Sequence, residues 1–514
     1  MANSHTRRAM GKPSVKGLSS SNRWSSLDML DEDEANWQHD RLSILPDHVL
    51  LNIVERLDIA DATRTSILSR QWRKIPAMLS KICLTVGSFD PEHDRSKLTC
   101  DDVVRANATV LEATRSMLQN RTISPCTIQL LFVQFFLGDG STNIGQTVAD
   151  TIATQKVESA ELSLLTKKDY RQCTDDDLLS YGSQFKSLVH ACPNTFSGLV
   201  RLKLENLMLG QSDFAKICSI CKRLEFLYLF NIDMEIPSLL EVDIDMEIPS
   251  LLEVEHPQLR ELELVKCSFE RVDLNCLPKL STLTLSYWGS EHDPLSFGYV
   301  PLLHTVTMSN TALSYHTMLK LSEVLGKATV SNLHLNFEKE KIWIKPEGPR
   351  ELWPVLDNLR FVNLADISEE CDLAWTLFIL EGAPSLKELC LRVWNRCEMT
   401  RNEEERKELM FCEGEKDAEV EWDTSDFKHH NLAVLRIFGF QVEDKFLDYV
   451  LTVIEAAVNL KDIYLHERPI CVACKHKKRK DRYPWAKKQR VAVMNGLDMD
   501  THPLLRIHFP SIRA

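Results

Sequence analysis

Three apolar positions in the pattern LxxLxL recur along the chain from residue 199 onward. Apolar and polar side chains alternate within each copy, which predicts a β-strand with one buried face. Ten copies are recognisable, beginning at Leu199, Leu224, Leu259, Leu280, Leu303, Val330, Leu359, Leu386, Leu432 and Leu460. One short strand cannot bury its apolar face alone, so we expect stacked repeats that share a core. The pattern predicts an α/β fold in which the strands run parallel in a curved solenoid.

Two of the spacings between copies are irregular, and the sequence shows why. Seven of the nine start-to-start spacings lie between 21 and 29, whereas the other two are 35 and 46. The stretch IDMEIPSLLEV at residues 232–242 recurs identically at residues 244–254, and removing this 12-residue step turns 35 into 23. Residues 403–426 carry 11 acidic and 3 basic side chains, and removing these 24 positions turns 46 into 22. We interpret 403–426 as an acidic insertion, either a solvated loop or an acidic docking site.

The length and pattern of the units resemble leucine-rich repeats, and this resemblance implies strands on the concave face of an arc. Four units have a proline two residues before their first leucine, where it would end the preceding convex segment; these are Pro257, Pro278, Pro301 and Pro384. The asparagine that is usual at the ninth position is largely missing, with Cys267 as an accepted substitute. The usual hydrogen-bond ladder between repeats therefore lacks most of its side chains.

Side chains between the leucines face the concave side, because strand side chains alternate with period two. The most unusual set is an aromatic trio on one strand, which we interpret either as a target contact or as packing beneath the duplicated stretch. Uncharged polar side chains follow further along. The candidate target-binding residues are Phe226, Tyr228, Phe230, Asn332, His334 and Asn336.

A helical pattern precedes the repeats. Apolar side chains at i, i+3, i+4 and i+7 predict an amphipathic helix that starts near Pro46; these are Leu50, Ile53, Val54 and Leu57. Asp61 and Ser69 are predicted N-caps of two further short helices. About 40 residues cannot bury a large core, so such a unit is expected to leave apolar surface for a partner.

The stretch from Leu42 to about Leu84 resembles an F-box. The Leu45-Pro46 pair, the LLxxIxxxL core of the first helix and the run SILSRQWR at residues 66–73 follow the order and spacing of that motif. The resemblance implies docking onto a SKP-type adaptor, which joins the F-box to a cullin scaffold of the ubiquitin-transfer machinery. It assigns the adaptor contact to Leu45, Pro46, Leu50, Ile53, Leu57, Leu68 and Trp72.

The stretch from His429 to Glu467 resembles an FBD domain, which follows an F-box and leucine-rich repeats in a large plant family. Its apolar pattern predicts a strand, a helix and a further strand, which is close to one repeat unit. We therefore expect the FBD module to cap the solenoid and to protect its last open edge.

Composition and charge exclude several classes of protein. The 514 residues carry a net charge of −13, and residues 403–426 account for −8 of it, so a general basic footprint for nucleic acid is absent. The motifs GxxxxGK[ST], GxGxxG, HExxH and GxSxG do not occur, and no cofactor or enzymatic activity is predicted. The 15 cysteines form an odd number and no apolar segment follows Arg7 and Arg8, which favours reduced thiols in the cytoplasm or nucleus.

Two CxxC pairs and one basic run are further candidates for functional residues. Cys218 and Cys221 lie far from Cys471 and Cys474, so a zinc site would need a local Cys/Cys/His set at the second pair, and reduced thiols are the alternative. The run Lys477, Lys478, Arg479 and Lys480 is interpreted as a nuclear-import signal or as a solvated loop.

These patterns divide the chain into seven parts: residues 1–38 a disordered leader, 39–84 the F-box, 85–198 an irregular linker with early repeats, 199–402 the leucine-rich repeats, 403–426 the acidic insertion, 427–467 the FBD domain and 468–514 a basic C-terminal tail. The resulting hypothesis is a non-enzymatic substrate receptor of an SCF-type ubiquitin ligase. The alternative is an interaction scaffold without ubiquitin transfer. Neither hypothesis names the target protein.

Overall fold

The computed structural model describes residues 45–89, 95–119, 121, 127–234, 250–288, 293–310, 318–326, 328–338, 342–369, 371–394, 427–468, 483–499 and 502–510. Four of the sequence-based predictions lie outside these residues. They are the leader 1–38, the insertion 403–426, the cysteines 471 and 474, and the basic run 477–480. No helix among the described residues is long and apolar enough to cross a membrane.

Parallel strands dominate the molecule. In chain order the strands are β1 Lys81–Leu84, β2 Ile128–Phe136, β3 Val157–Leu165, β4 Arg201–Leu209, β5 Phe226–Met234, β6 Leu251–Glu255, β7 Glu261–Val265, β8 Arg271–Cys276, β9 Thr282–Ser286, β10 Leu295–Tyr299, β11 Thr305–Ser309, β12 Asn332–Asn336, β13 Phe361–Ser368, β14 Glu388–Trp394, β15 Val434–Phe438, β16 Asp462–His466 and β17 Arg506–His508. Across the described residues, fourteen of them form one sheet in sequence order, and β6, β8 and β10 form a second sheet.

All ten predicted repeats contribute a strand to the large sheet. Each strand begins two residues after the first apolar position of its unit, from Leu199 and β4 to Leu460 and β16. The central apolar positions pair across neighbouring strands in one register, as Leu202 does with Leu227. Such side chains are buried, and each contributes on the order of 1.5 to 3 kcal/mol before conformational entropy is subtracted. The predicted solenoid of parallel strands is confirmed.

Helices cover much of the convex side. They are α1 Asp47–Val54, α2 Ile59–Arg64, α3 Val86–Phe89, α4 Cys100–Gln119, α5 Ser141–Thr154, α6 Asp175–Ala191, α7 Pro193–Gly198, α8 Gln211–Ile220, α9 Leu321–Leu325, α10 Pro349–Leu356, α11 Leu377–Gly382, α12 Asp444–Ala456 and α13 Lys487–Gly496. Residues 85–198, expected as an irregular linker with early repeats, supply strands β2 and β3 and their helices to the same sheet.

Three short convex strands replace helices in the middle of the arc. The large-sheet strands β7, β9 and β11 follow one another more closely along the chain than strands joined through a helix, such as β4 and β5. A five-residue strand spans about 17 Å, a length that needs about eleven residues of helix. The units of 21 and 23 residues that contain β8 and β10 therefore have room for a convex strand but not for a helix and its loops, whereas β6 lies in the longer unit that carries the duplication.

The prolines stand where the sequence predicts them, at the ends of the convex segments. Each of the four lies two residues after such a segment, as Pro257 does after β6 and Pro384 does after α11. Proline lacks a backbone N–H and so cannot extend a strand or helix. The chain is therefore directed back towards the next concave strand at these positions.

A left-handed residue stands at the eighth position of many repeat units, either within the strand or directly after it. Asn206 and Asn231 adopt φ values of 54° and 51° there. The Asn231 amide donates a 2.7 Å hydrogen bond to Oδ1 of Asn206, whose own amide donates to Thr166 Oγ1 at 2.6 Å. A short asparagine ladder thus exists one position earlier than the usual one, and at these φ values asparagine is among the better tolerated side chains.

The F-box segment is helical, with one cap displaced from its predicted residue. Asp58, not Asp61, caps α2, because Oδ1 of Asp58 accepts the Asp61 N–H at 2.8 Å while Asp61 already lies in the first turn. The third segment is a 3-10 turn at Trp72–Lys74 rather than an α-helix, and the Trp72 N–H lies 3.4 Å from Ser69 Oγ.

The C-terminal part continues the solenoid beyond the FBD-like stretch. The predicted strand, helix and strand appear as β15, α12 and β16. Residues 468–514, predicted as a tail, nevertheless supply α13 and the strand β17, which pairs with β16. Val493 and Leu497 are buried there and join the common core. The expectation that the FBD module forms the terminal cap is therefore corrected, because β17 is the last strand of the described sheet.

Candidate functional site

The F-box divides its predicted adaptor contacts between core and surface. Leu50 and Trp72 are 0% and 3% exposed, so they hold the helices together and are not available to a partner. This corrects their assignment as contacts, since helical spacing alone does not tell an inward stripe from an outward one. Leu57 and Leu68 are 40% and 60% exposed, and Ile67, which is not one of the predicted adaptor contacts, is 82% exposed. Leu45 and Ile53 are half-buried, and Pro46 is exposed.

Hydrogen bonds tie the segments of the F-box to one another. The Gln71 amide donates to Leu45 O and to Asp47 Oδ1, both at 2.9 Å, and so ties the third segment to the start of α1. Ser80 Oγ donates to Glu55 Oε1 at 2.7 Å just before β1. The apolar residues of the F-box belong to the same buried cluster as those of the repeats. The exposed F-box surface is therefore held in one orientation relative to the solenoid.

The aromatic trio on β5 is more enclosed than its sequence suggests. Phe226 is only 9% exposed, and the Arg201 guanidinium lies 4.0 Å from its ring centroid. Phe230 packs edge-on against Tyr170 at 5.4 Å and lies parallel to Tyr228 at 6.4 Å. Tyr228 is half-buried, and burial together with neighbouring carboxylates raises its pKa to about 12. Residues 235–249, which would test packing under the duplication, lie outside the described residues.

The middle of the concave face is uncharged. It is lined by half-buried hydroxyl and amide side chains on β9, β11 and β12: Thr282, Thr284, Thr305, Thr307, Asn332 and Asn336. Asn332 donates to Thr305 Oγ1 at 3.2 Å, whereas Asn336 donates to Glu338 Oε1 at 2.7 Å within its own turn. Burial lowers the pKa of His334, which keeps its ring neutral. This stretch can offer hydrogen bonds to a target but no charge.

Many charged side chains on the concave strands are paired within the protein. Glu161 and Arg201 lie 3.4 Å apart, and Glu388 and Arg436 lie 2.6 Å apart. Glu205 pairs with Arg95, which reaches over from the segment before α4. Asp462 accepts hydrogen bonds of 2.8 Å from both Arg506 and His508 at the C-terminal end.

Other charged side chains of the repeat strands have no ion pair within the described part of the chain, among them Lys203, Glu261, Glu263 and Arg392. Arg392 is exposed and lies 5.6 Å from the Phe438 ring. Glu261 is exposed, Glu263 is half-buried, and burial raises the pKa of Glu263. These charges could not be recognised from the sequence, because the register that pairs the others was not known.

Metal chemistry finds no support among the residues that the structure describes. Cys218 and Cys221 are buried, and burial raises the pKa of each to about 12, so both remain protonated thiols. No group of three or more His, Cys, Asp and Glu side chains that could hold a metal ion occurs within the described ranges.

Comparisons with known proteins agree with this architecture. Residues 182–498 match the family described as "At1g61320/AtMIF1, LRR domain", and residues 42–83 match the F-box domain. The chain is 33% identical over 82 residues to the F-box/FBD/LRR-repeat protein At3g52680 of Arabidopsis thaliana, which is 16% of this chain and 18% of that protein. It is 40% identical over 55 residues to the FBD-associated F-box protein At1g60410 of the same plant, covering 11% of this chain and 14% of the relative.

A third relative, the putative F-box protein At1g32020 of Arabidopsis thaliana, is 32% identical over 69 residues, which is 13% of this chain and 40% of that protein. Each alignment thus spans less than half of the relative's own length. The repeat family, in contrast, matches well over half of the 514-residue chain, and the F-box match lies ahead of it. The chain therefore belongs to the plant F-box/leucine-rich-repeat family.

Proposed function

We propose that this protein is the substrate-recognition subunit of an SCF ubiquitin ligase. F-box domains typically serve substrate recognition in such ligases, and the domain is matched at residues 42–83. The observation that carries the proposal is the exposure of Leu57, Ile67 and Leu68 on an otherwise packed F-box. Apolar side chains exposed to this degree on a small helical unit favour a protein partner, here a SKP-type adaptor and, through it, a cullin.

The repeat solenoid is the proposed holder of the target protein. Its concave face presents aromatic, hydroxyl, amide and charged side chains from ten consecutive repeats, a composition suited to protein recognition. The F-box and the repeats share one buried core, so a bound target would keep a fixed position relative to the adaptor. Ubiquitin transfer would then take place on other subunits, by raising the effective concentration of target lysines near the ubiquitin carrier.

Adaptor capture tests the F-box part of this proposal. We expect the full chain to co-purify with a SKP-type adaptor and the double variant Ile67→Asp with Leu68→Asp to lose that adaptor. Both side chains are mostly exposed, so the variant is expected to remain folded.

The matched control is Leu302→Asp with Leu504→Asp, which places the same charges at leucines that are 57% and 88% exposed elsewhere in the chain. This control should keep the adaptor. Equal adaptor recovery for the wild type and the Ile67/Leu68 variant would show that the assigned surface is wrong.

A further inference from the structure

One arginine on the concave face of the last repeats has no counter-charge. Arg392 of β14 is exposed and forms no ion pair among the described residues. The strands β14, β15 and β16 hold two carboxylates, Glu388 and Asp462, and both are paired with other arginines. Asp366 lies in the bulge of β13 opposite Arg392 and makes no ion pair with it. The Arg392 side chain can therefore bind an anion from outside the chain.

An aromatic ring and an imidazole stand beside Arg392 in one row across the sheet. Arg392 is in register with Phe438 of β15, which in turn is in register with His466 of β16. The Arg392 guanidinium lies 5.6 Å from the Phe438 ring centroid, and the Phe438 ring stacks on the His466 ring at 4.1 Å. The spacing of neighbouring strands keeps the three Cα atoms within about 10 Å. One bound segment can therefore contact all three side chains.

Two buried polar atoms on this part of the face have no hydrogen-bond partner within the described ranges. They are Nε2 of His466 and Oδ1 of Asn363 on β13, and the other atoms of this kind in the described chain lie outside the strands. Burial lowers the pKa of His466, so its ring is neutral. A buried polar atom without a partner costs free energy that a bound ligand can restore, and side chains at interfaces commonly change rotamer to allow it. Both atoms therefore point to a ligand at this end of the face.

Exposed cations at the ends of the same strands extend the positive surface. Arg360, Lys387 and Lys461 directly precede β13, β14 and β16, and they form no ion pair within the part of the chain that the structure describes. The surface spans about 14 Å across the four strands and about 17 Å along β14, from Lys387 to Arg392. This area exceeds what a small anion needs and suits a polypeptide segment. A local positive surface attracts acidic partners, although the whole chain carries a net charge of −13.

We propose that Arg392, Phe438 and His466 bind an acidic segment of the target protein. Arg392 holds an aspartate or glutamate carboxylate through charge-assisted hydrogen bonds, and Nε2 of His466 donates a hydrogen bond to the same segment. The Phe438 ring contacts the aliphatic part of the acidic side chain, and a backbone N–H of the segment donates to Oδ1 of Asn363. This inference rests on the proposed function, because it names the kind of target surface that the solenoid recognises.

Two fluorescent peptides test the contact with the full chain. One alternates glutamate and serine, and its twin carries glutamine in place of every glutamate, so the two have the same length and nearly the same shape. The chain as a whole is acidic and repels the glutamate peptide, so tighter binding of that peptide reports a local positive site. Fluorescence anisotropy should show the glutamate peptide binding about tenfold more tightly than its twin, a ratio within reach of one hydrogen-bonded charge pair.

The structure offers a matched pair of arginine variants. Arg392→Gln should reduce the preference for the glutamate peptide to about twofold or less, because the carboxylate loses its cation. Arg350→Gln removes the same charge from an exposed position on the helix α10 and should leave the preference intact. Equal binding of the two peptides to the wild type, no binding at millimolar concentration, an unchanged preference in Arg392→Gln, or an equal loss in both variants would each overturn the inference.

The variant His466→Phe separates a role in binding from a role in stability. Phenylalanine keeps a ring that stacks on Phe438 and removes the buried nitrogen that has no partner, so the thermal midpoint should stay the same or rise. The preference for the glutamate peptide should nevertheless fall about threefold, because one hydrogen bond to the segment is lost. An unchanged preference, with or without a lower midpoint, would overturn the part assigned to His466.

Adaptor capture by the same proteins separates this inference from the proposed function. If the wild type captures the adaptor but does not distinguish the peptides, the acidic-segment contact is wrong and the receptor function stands. If the wild type fails to capture the adaptor, the receptor function itself is overturned.

Discussion

Single backbone positions at the eighth residue of the repeat units decide how closely the repeats can stack. At the eighth position of their units, Asn206 and Tyr287 adopt φ values of 54° and 58°. Gly439 holds the same position after β15, with a φ of 82°. A Cβ atom there would overlap the carbonyl oxygen of Val393 on the preceding repeat. Side chains are thus tolerated at this position in other repeats, but not where the neighbouring backbone comes so close.

Gly439→Ala is therefore expected to lower the free energy of unfolding by about 2 kcal/mol or more, from the left-handed conformation and the clash together. Urea unfolding followed by circular dichroism would measure it. The control Gly496→Ala adds a Cβ atom with no heavy atom within 4 Å at the end of α13 and should change stability by less than about 1 kcal/mol. Equal stability of the Gly439 variant and the wild type would contradict the close approach.

Two buried histidines bridge neighbouring repeats in the same way. Each lies three residues before the first leucine of its unit, and Nε2 of each donates a 2.9 Å hydrogen bond to a carbonyl of the preceding repeat, His256 to Cys221 and His429 to Ala383. Nδ1 of His429 accepts the Leu432 N–H at 2.9 Å, so the ring serves its two partners only in the neutral form. Burial lowers the pKa of both rings.

Acidification should consequently destabilise the fold through these rings. Because the folded pKa lies below the unfolded value of about 6.5, the unfolded chain binds more protons and stability falls as the pH drops from about 6.5 towards the folded pKa. We expect the double variant His256→Gln with His429→Gln to lose less stability between pH 7 and pH 5 than the wild type does. Urea midpoints at several pH values would show this, and parallel pH profiles would mean that the two rings do not contribute.

At the scale of elements, the duplicated stretch divides between two strands. Ile232 to Met234 of the first copy end β5, and Leu251 to Val254 of the second copy belong to β6. The first copy thus supplies the end of β5 and the second copy supplies β6. In a repeat of ordinary length, a single copy of the sequence would supply both. The stretch between them contains one surplus copy of the duplicated sequence.

Deleting residues 235–246 should accordingly leave the thermal midpoint unchanged or raise it slightly, because the deletion rejoins Met234 to an identical continuation and shortens a connection. Differential scanning calorimetry would measure the midpoint. Deleting residues 269–280, a segment of equal length, removes β8 with its buried Val272 and Leu274 and should abolish cooperative unfolding. A fall of more than about 5 °C for the first deletion would show that the second copy is integrated into the fold.

The repeat strands were predictable from the sequence, whereas the convex strands and the last strand were not. The LxxLxL pattern locates each concave strand because three apolar side chains must share one buried face. The convex strands β6, β8 and β10 are five or six residues long, and such short runs carry no periodicity that separates strand from turn. The strand β17 was missed because its sequence, RIH, has a single apolar position, and it is held by pairing with β16.

The candidate site was likewise predictable from the sequence only in part. The residues that face the concave side followed from alternation, and the burial of Phe226 did not, because it depends on Arg201 in the neighbouring repeat. In the F-box, the first helix was predicted, although it ends at Val54 and leaves Leu57 in the turn that follows. Which of its apolar side chains face outward depends on the packing of all three segments. Leu50 and Trp72 are thus interior, while Ile67 is the most exposed of the large apolar side chains described in the unit.

At the scale of the whole molecule, one buried cluster extends from the F-box through the repeats to Leu497. Because the F-box and the repeats share a core, they cannot rotate independently, unlike two modules joined by a flexible linker. This rigidity suits a receptor that must present target lysines at a fixed place. A scaffold that only binds a partner would not need it.

Target half-life distinguishes these two roles most directly. Proteins captured by the full chain would be identified by mass spectrometry, and their half-lives compared in cells that express either the wild type or the Ile67→Asp with Leu68→Asp variant. The receptor account predicts that both chains capture the same proteins and that only the wild type shortens their half-lives. Captured proteins with equal half-lives in the two cell lines would contradict it and would identify the chain as a scaffold without ubiquitin transfer.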